Sequence, residues 1–435
     1  MPALTVAGSD SGAGAGIQAD LAAMRARGVF GTSALTAVTA QNTTGVRESE
    51  ALPPETVAAQ IEAVAEDFDI RAAKTGMLAE PAVVRAVADA LPNCPLVLDP
   101  VVLAGSGDRL LTEAGVETLC ERLLPAATLV TPNRPEAELL AGTSIASTED
   151  AADAGAALRG MGADAALVTG GHGEGPVCDV LVTDDGVRTF EHPRYDGTAH
   201  GSGCALSASV TAGLARGDGL ETAVADAIDH VVRAVRFGYE VGGSTNPVNP
   251  DAVRDAAAGV IDTITAVGDC VRAFESNPSV SRVVPEVGLQ VAVAPPCATS
   301  PAEIVAVDGR LHRTAGGVRA VGGPRPGASS HIARLLCGVR AADSTVSAAC
   351  NVRRNDAIVA TLRERCELVT VDRRAEPDDV AGTMDWVAKE VMETRADAPD
   401  AIADTGADGK EPMVRLLADD AATLRARVLE LADAR

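Results

Sequence analysis

Lysine is nearly missing from this chain: Lys74, Lys389 and Lys410 are the only three among 37 basic residues in a sequence of 435. Aromatic residues are also scarce, at 2%, with a single tryptophan. Against so few cations stand 61 acidic residues and a formal net charge of −24, which excludes a general binder of nucleic acid or of anionic membrane surfaces. No apolar run reaches the roughly 18 residues that a membrane span needs. The nine cysteines contain no C-x-x-C pair, and their odd number with no signal-like N-terminus argues against both a disulfide framework and a zinc site. A reducing cytoplasm is the expected compartment. What is abundant is small and acidic, a composition suited to strong salt, where charge repulsion is screened within roughly 3 Å at 1 M; a halophilic protein is therefore expected. The length exceeds one ordinary core, so two domains are expected.

Taken in order, apolar strands alternate with helices through the first 170 residues. Strands are expected at Ala3 to Ala7, Ala34 to Val38, Ala72 to Thr75, Leu96 to Asp99, Thr128 to Thr131 and Ala165 to Thr169, the first five each followed by one or two helices. This alternation implies α/β architecture, a parallel sheet with helices on both faces, and ligands at the carboxyl ends of its strands. Polar residues fall at those ends: Gln41-Asn42-Thr43, Lys74-Thr75-Gly76-Met77, Asp99-Pro100, Thr131-Pro132-Asn133-Arg134-Pro135-Glu136 and Thr169-Gly170-Gly171-His172. Any one of them can be a helix cap or a turn; their recurrence favours a site.

The stretch Ala199-His200-Gly201-Ser202-Gly203-Cys204 opens an Ala/Leu/Ser/Val-rich helix. Free backbone N–H groups converge at such a start and favour phosphate, and the same field is expected to lower the Cys204 thiol pKa unless a bound anion opposes it. A turn capped by Ser202 with a buried Cys204 is the alternative. A second glycine-rich loop, Gly8 to Gly16, is not a Walker loop because no Gly-Lys-Ser/Thr follows.

Ala7-Gly8-Ser9-Asp10 through Gly16-Ile17-Gln18-Ala19-Asp20, Ala40-Gln41-Asn42-Thr43, Gly76-Met77-Leu78, Val97-Leu98-Asp99-Pro100-Val101, Thr131-Pro132-Asn133 with Glu136, Gly170-Gly171-His172 and His200 to Cys204 occur in one order. That order closely resembles the hydroxymethylpyrimidine and phosphomethylpyrimidine kinases of thiamine biosynthesis, in the ribokinase-like superfamily, over about residues 1 to 245. The resemblance implies a ribokinase-like fold for a domain spanning 1–248, and two successive phosphorylations by ATP with Mg²⁺, first of a hydroxymethyl aminopyrimidine and then of its monophosphate. It implies a substrate pocket of Gly8, Asp20, Gln41, Met77 and Val101, ATP and phosphate contacts from Asn133, Thr169, Gly201, Ser202 and Gly203, and Mg²⁺ held by Asp99 and Glu136. Cys204 stands where sugar kinases of the superfamily carry an aspartate base; an alcohol needs to lose a proton and an acceptor phosphate does not, so Cys204 is expected to matter more in the first step. Gln41 together with Cys204 disfavours a sugar or pyridoxal kinase. Two departures stand out. Thr169 replaces the usual lysine, removing a cation that would neutralise the triphosphate, and the first loop reads Ser-Gly-Ala-Gly instead of Pro-Ser-Gly-Gly.

A turn-rich seam, Gly242 to Pro250, ends this pattern, and residues 249–264 are expected to be linker and the start of a connecting helix. Behind it, Pro-Gly-Ala-Ser-Ser-His, then Asp372-Arg373, then Gly-Lys-Glu-Pro-Met resemble the archaeal-type thiamine phosphate synthase domain, over 265–435 as a second α/β domain. The resemblance implies condensation of the pyrimidine diphosphate with thiazole phosphate. Arg310 and His331 are the candidate catalytic residues, with Ser329, Ser330, Arg334, Arg353, Arg373 and Lys410 as phosphate ligands. A domain that senses thiamine phosphate without catalysis is the alternative. A homo-oligomer, with a dimer favoured, completes the expectation.

Overall fold

The computed structural model describes residues 1–103, 109–171, 175–195, 198–377, 382–406 and 411–434. Its contacts divide the chain into two units, Met1–Val253 and Arg254–Arg435.

The first unit runs β1 (Pro2–Asp10), α1 (Gly16–Ala26), β2 (Phe30–Asn42), β3 (Gly45–Ala51), α2 (Pro54–Asp67), β4 (Ala73–Thr75), α3 (Pro81–Ala90), β5 (Leu96–Leu98), α4 (Glu113–Arg122), β6 (Leu129–Val130), α5 (Arg134–Ala141), α6 (Thr148–Gly160), β7 (Ala166–Val168), β8 (Val177–Thr183), β9 (Gly186–His192), β10 (Thr198–His200), α7 (Ser202–Arg216), α8 (Leu220–Arg236) and β11 (Asn246–Pro247). Nine strands form one sheet in the order β3-β2-β1-β4-β5-β6-β7-β8-β9. From β2 to β7 every pairing is parallel. The expected parallel sheet thus forms the centre, and β3, β8 and β9 add antiparallel at its edges, so the sheet is mixed overall. β3, Gly-Val-Arg-Glu-Ser-Glu-Ala, faces water along most of its length and so carries no apolar signal.

Alternate residues of the short central strands enter opposite cores. Leu96 and Leu98 pack with Val57, Ile61, Val83 and Leu119 from α2, α3 and α4, whereas Val97 packs with Leu206, Val210 and Ala227 from α7 and α8. Burying a side chain of that size contributes about 1.5–3 kcal/mol, so three-residue strands suffice when both faces are covered. Helix ends are specified locally: Asn133 and Glu136 form a reciprocal capping box at α5, which stops at Gly142 with φ +68°.

The connecting helix expected from Asp251 is two helices, α9 (Ala252–Ala258) and α10 (Val260–Ser276), interrupted at Gly259. The second unit continues with β12 (Val291–Val293), β13 (Val305–Val307), β14 (Leu311–Thr314), β15 (Gly317–Ala320), β16 (Pro324–Pro326), α11 (His331–Ala342), β17 (Ala348–Arg353), α12 (Asp356–Arg365), β18 (Leu368–Val371), α13 (Thr383–Met392), β19 (Ala401–Asp404), β20 (Met413–Ala418) and α14 (Ala421–Asp433). Seven strands take the order β16-β13-β12-β17-β20-β19-β18, and only β18 and β19 pair in parallel. α10 and α14 cover one face through Phe274, Leu424 and Val428, and α11 and α13 the other through Leu335, Leu336 and Val387.

Candidate active site

In the first unit the parallel strands deliver their polar residues to one edge of the sheet. The loop after β1 is shaped by Asp10, whose carboxylate accepts the N–H groups of Gly12 and Ala15 at 2.7 and 2.8 Å and faces His200 Nε2 at 3.3 Å. Burial would raise the Asp10 pKa; the hydrogen bond from His200 and the two backbone N–H groups outweigh it, and the carboxyl sits below its usual range. This ties the first glycine loop to the start of α7. The fit leaves no room for side chains: a Cβ on Gly201, whose φ is +81°, would lie 1.8 Å from Gly14 O, and one on Gly14 would lie 2.2 Å from His200 Cδ2.

Helix α7 begins at Ser202 with Gly201 as its cap residue and no side chain capping it. The Ser202 cap considered as an alternative is thus not formed, and the first N–H groups of the helix, those of Ser202, Gly203 and Cys204, remain an anion-binding surface. Beneath it lies a buried cluster. Lys74 Nζ, with no exposed surface, donates to both oxygens of Asp20 at 2.8 and 2.9 Å and lies 3.9 Å from Asp99. Burial would lower the Lys74 pKa, but Asp20, then Cys204 and Asp99, more than offset this and hold the ammonium charged. Asp20, expected at the substrate, is fully buried and also accepts from Thr5 at 2.6 Å; it holds Lys74 and presents nothing to a ligand. Cys204 is corrected too. Burial pushes its thiol up to about 12, the Lys74 charge opposing and the Asp20 and Asp99 charges adding, so the helix field does not yield a thiolate.

Asp99, at the end of β5, accepts from Ser207 of α7 at 3.0 Å. Glu136 accepts from Val102 N and Asn133 N, each at 3.0 Å. Burial raises both carboxyls, and the Asp99 charge helps carry Glu136 to about 7. Two hydroxyls flank Asp99 on the neighbouring strands, Thr75 and Thr131, and both are buried without a hydrogen-bond partner among the described residues. Two mutually repelling carboxylates beside two unsatisfied hydroxyls fit a hard cation that keeps its water shell. Asn133 spends its side-chain oxygen on the α5 cap.

Gly8 of β1 and Met77 after β4 come together, and Gln41 stands near the end of β2. Met77 Sδ lies 3.2 Å from where a Gly8 Cβ would stand, and Gln41, held through its backbone by Ser11 at 2.7 and 2.8 Å, accepts from Thr39 while its amide N–H₂ has no protein acceptor among the described residues. Val101 is half-buried after β5. Thr169 follows β7, its N–H bonded to Pro132 O at 3.0 Å; His172 lies outside the described residues.

In the second unit Arg310, Ser329, Ser330 and His331 line one cavity of about 330 Å³, with Gln290 and His312, which motif reading passed over. Arg310 holds φ +69°, a left-handed conformation that costs a bulky residue about 1–3 kcal/mol and is typical of functional positions, and it donates to Val287 O at 2.8 Å. Arg334, Arg353 and Arg373 are not among the described residues that line it. Arg334 pairs with Asp385 at 3.0 Å, and Arg373 is buried at 5% exposure against Glu376 and Asp404, where Arg415 also bonds Asp404. Arg373 is therefore a structural cation in place of a ligand. Arg353 lies at the end of β17, and Lys410 lies outside the described residues.

No helix among the described residues is long and apolar enough to cross a membrane. Residues 266–430 match the family model described as thiamine-phosphate synthase ThiN. The hydroxymethylpyrimidine/phosphomethylpyrimidine kinase of Haemophilus influenzae is 45% identical over 255 residues, 57% of this chain and 95% of that one; its counterpart in Streptomyces coelicolor is 43% identical over 249 residues, 57% and 93%. Among solved structures, the ADP complex of Staphylococcus aureus pyridoxal kinase aligns at 30% identity with a TM-score of 0.55, covering 58% of this chain and 94% of that one. Residues 10–249, more than half the chain, match the phosphomethylpyrimidine kinase model, and the chain belongs to that family.

Proposed function

We propose that the first unit phosphorylates hydroxymethyl aminopyrimidine and then its monophosphate with Mg-ATP, and that the second condenses the resulting diphosphate with thiazole phosphate. The observation that carries the first part is that Gln41, Asp99 and Glu136 lie at or just beyond the carboxyl ends of parallel strands of one sheet, with Asp99 bonded to Ser207 of α7, whose start is uncapped. Gln41 offers an amide to the edge of an aminopyrimidine with Met77 packed beside it. The N–H groups of residues 202–204 hold charge on the transferring phosphoryl group. Mg²⁺ between Asp99 and Glu136 would neutralise the phosphates. Cys204, protonated at rest, orients the accepting hydroxyl; a loose phosphoryl transfer needs little help from a strong base.

For the second unit, the shared cavity of Arg310 and His331 beside an uncapped helix start supports stabilisation of a departing diphosphate. Sensing without catalysis is the competing reading. Full-length protein supplied with pyrimidine, thiazole phosphate and Mg-ATP is expected to consume two ATP per pyrimidine and release thiamine phosphate. Turnover of pyridoxal with none of the pyrimidine would overturn the first assignment, and tight binding of thiamine phosphate without synthesis the second. A dimer and a need for strong salt belong to the same reading, and sedimentation and activity at low and high salt test both.

A further inference from the structure

The nucleotide side of the first unit has no lysine to offer. Thr169 stands before Gly170-Gly171, Lys74 is sealed in its pair with Asp20, and Lys389 and Lys410 belong to the second unit. A cation does reach that turn from elsewhere. Arg194, two residues beyond β9, donates Nη1 to Gly171 O at 2.7 Å and Nε to Gly175 O at 2.9 Å, which fixes the plane of its guanidinium against the turn after β7. Its third nitrogen, Nη2, is buried and has no hydrogen-bond partner among the described residues. Arg134 and Arg159 pair with Glu138 and Asp184; no carboxylate of the described residues stands within ion-pair distance of Arg194.

A guanidinium stays charged at any physiological pH, so an unmatched buried N–H on it is a standing cost unless an anion completes it. The hairpin behind it is built to keep the turn in place. Asp179 accepts from Gly170 N at 2.9 Å and faces His192 Nε2 at 3.2 Å. A Cβ on Gly170 would lie 2.1 Å from Cys178 O, so the turn lies flat on β8. Asp179 is buried and engaged with these partners, and among the described residues no carboxylate forms an ion pair with Arg194.

We propose that Arg194 is the cation that grips the phosphate chain of the nucleotide, through Nη2, in the role that Thr169 cannot fill. This rests on the kinase reading above. Nε and Nη1 remain on the two carbonyls, and the planar fork gives the phosphate a directed donor where a lysine would give a point charge.

The test is Arg194→Gln in the full chain, alone and combined with Thr169→Lys. We expect the glutamine variant to raise KM for ATP, and the dissociation constant of a non-hydrolysable ATP analogue, about 10-fold or more in both phosphorylations, with KM for the pyrimidine unchanged. The added Thr169→Lys should recover most of the ATP affinity by restoring a cation to the turn. ATP affinity within twofold of wild type in the single variant would overturn the proposal. So would a loss that extends equally to the pyrimidine and is not recovered by Thr169→Lys, since Arg194 would then only strap the turn. If wild type binds the ATP analogue through Arg194 yet leaves the pyrimidine untouched, the substrate assignment falls and this one stands.

Discussion

The two units handle charge in opposite ways around the sites where they meet their ligands. In the first, a lysine and two carboxylates are sealed directly beneath the reactive edge, and the ligand-facing surface is mostly backbone N–H and amide. In the second, a buried pair of arginines on Asp404 lies among residues that do not line the cavity, while Arg310 and His331 project into it. A parallel sheet concentrates polar strand ends on one edge, so its charges must be balanced there, whereas a mostly antiparallel sheet leaves turns and helix starts to supply the chemistry. Buried charge thus organises the first site and merely braces the second.

Breaking the buried pairs is the harshest test of that contrast. Lys74→Met leaves Asp20 and Asp99 unpaired, with an expected loss of about 3–5 kcal/mol, and should abolish kinase activity; Arg415→Met should unfold its own unit to a similar degree. Hydrogen exchange resolved by unit checks both. If Lys74→Met leaves residues 1–253 as protected as in wild type, the cluster is not what holds the site.

Next in size, Arg310→Ala or His331→Ala should lower thiamine phosphate formation by about 10²-fold or more, with both phosphorylations intact, as followed by product chromatography. Loss of kinase turnover in either variant would contradict the separation of the two chemistries.

Cys204→Ala, by loosening the orientation of the accepting hydroxyl, should slow the first phosphorylation by up to about 10²-fold and the second by only a few fold. Equal losses in the two steps would assign Cys204 to the geometry of the helix start.

The smallest effect is a pH trend. Glu136 has a folded pKa raised from 4.5 to about 7, so the folded form binds the extra proton and this group's contribution to stability is present below about 4.5 and lost as pH rises through about 7. Denaturation midpoints of wild type minus Glu136→Gln should therefore fall between pH 5 and 8, and Mg²⁺ should lessen the fall. A flat difference would mean that neither burial nor the Asp99 charge raises the Glu136 carboxyl.

Much of this was legible in the sequence. In the first unit the parallel strands β1, β2 and β4 to β7 and the helix starting at Ser202 followed from apolar alternation and glycine placement. Edge strands such as β3 and β9 were not, because their side chains face water and carry no periodic signal. Short motifs pointed to polar residues at strand ends, and Gln41, Asp99 and Glu136 do lie at or just beyond the ends of β2, β5 and β6. Asp20, Arg373 and the state of Cys204 were misread for one reason: sequence gives residue type but not burial, and burial turned two expected ligands into braces and pushed the thiol up instead of down. The role of Lys74 had a signal after all, since the only lysine in the first 253 residues is poorly explained as surface charge.

The interlock between the first glycine loop and the start of α7 also dictates an order of assembly. Asp10 and His200 lie 190 positions apart in the chain, and Gly14 and Gly201 close against each other only when both segments are in place. Arg310 and His331 are joined by a short stretch of turn and hairpin. Contacts between distant segments form slowly because the intervening chain must be ordered first, so the kinase pocket is completed late, after residue 204 has left the ribosome, while the second pocket closes from local pieces. In refolding followed by pulsed hydrogen exchange, amides 10–16 should gain protection after those of 307–334.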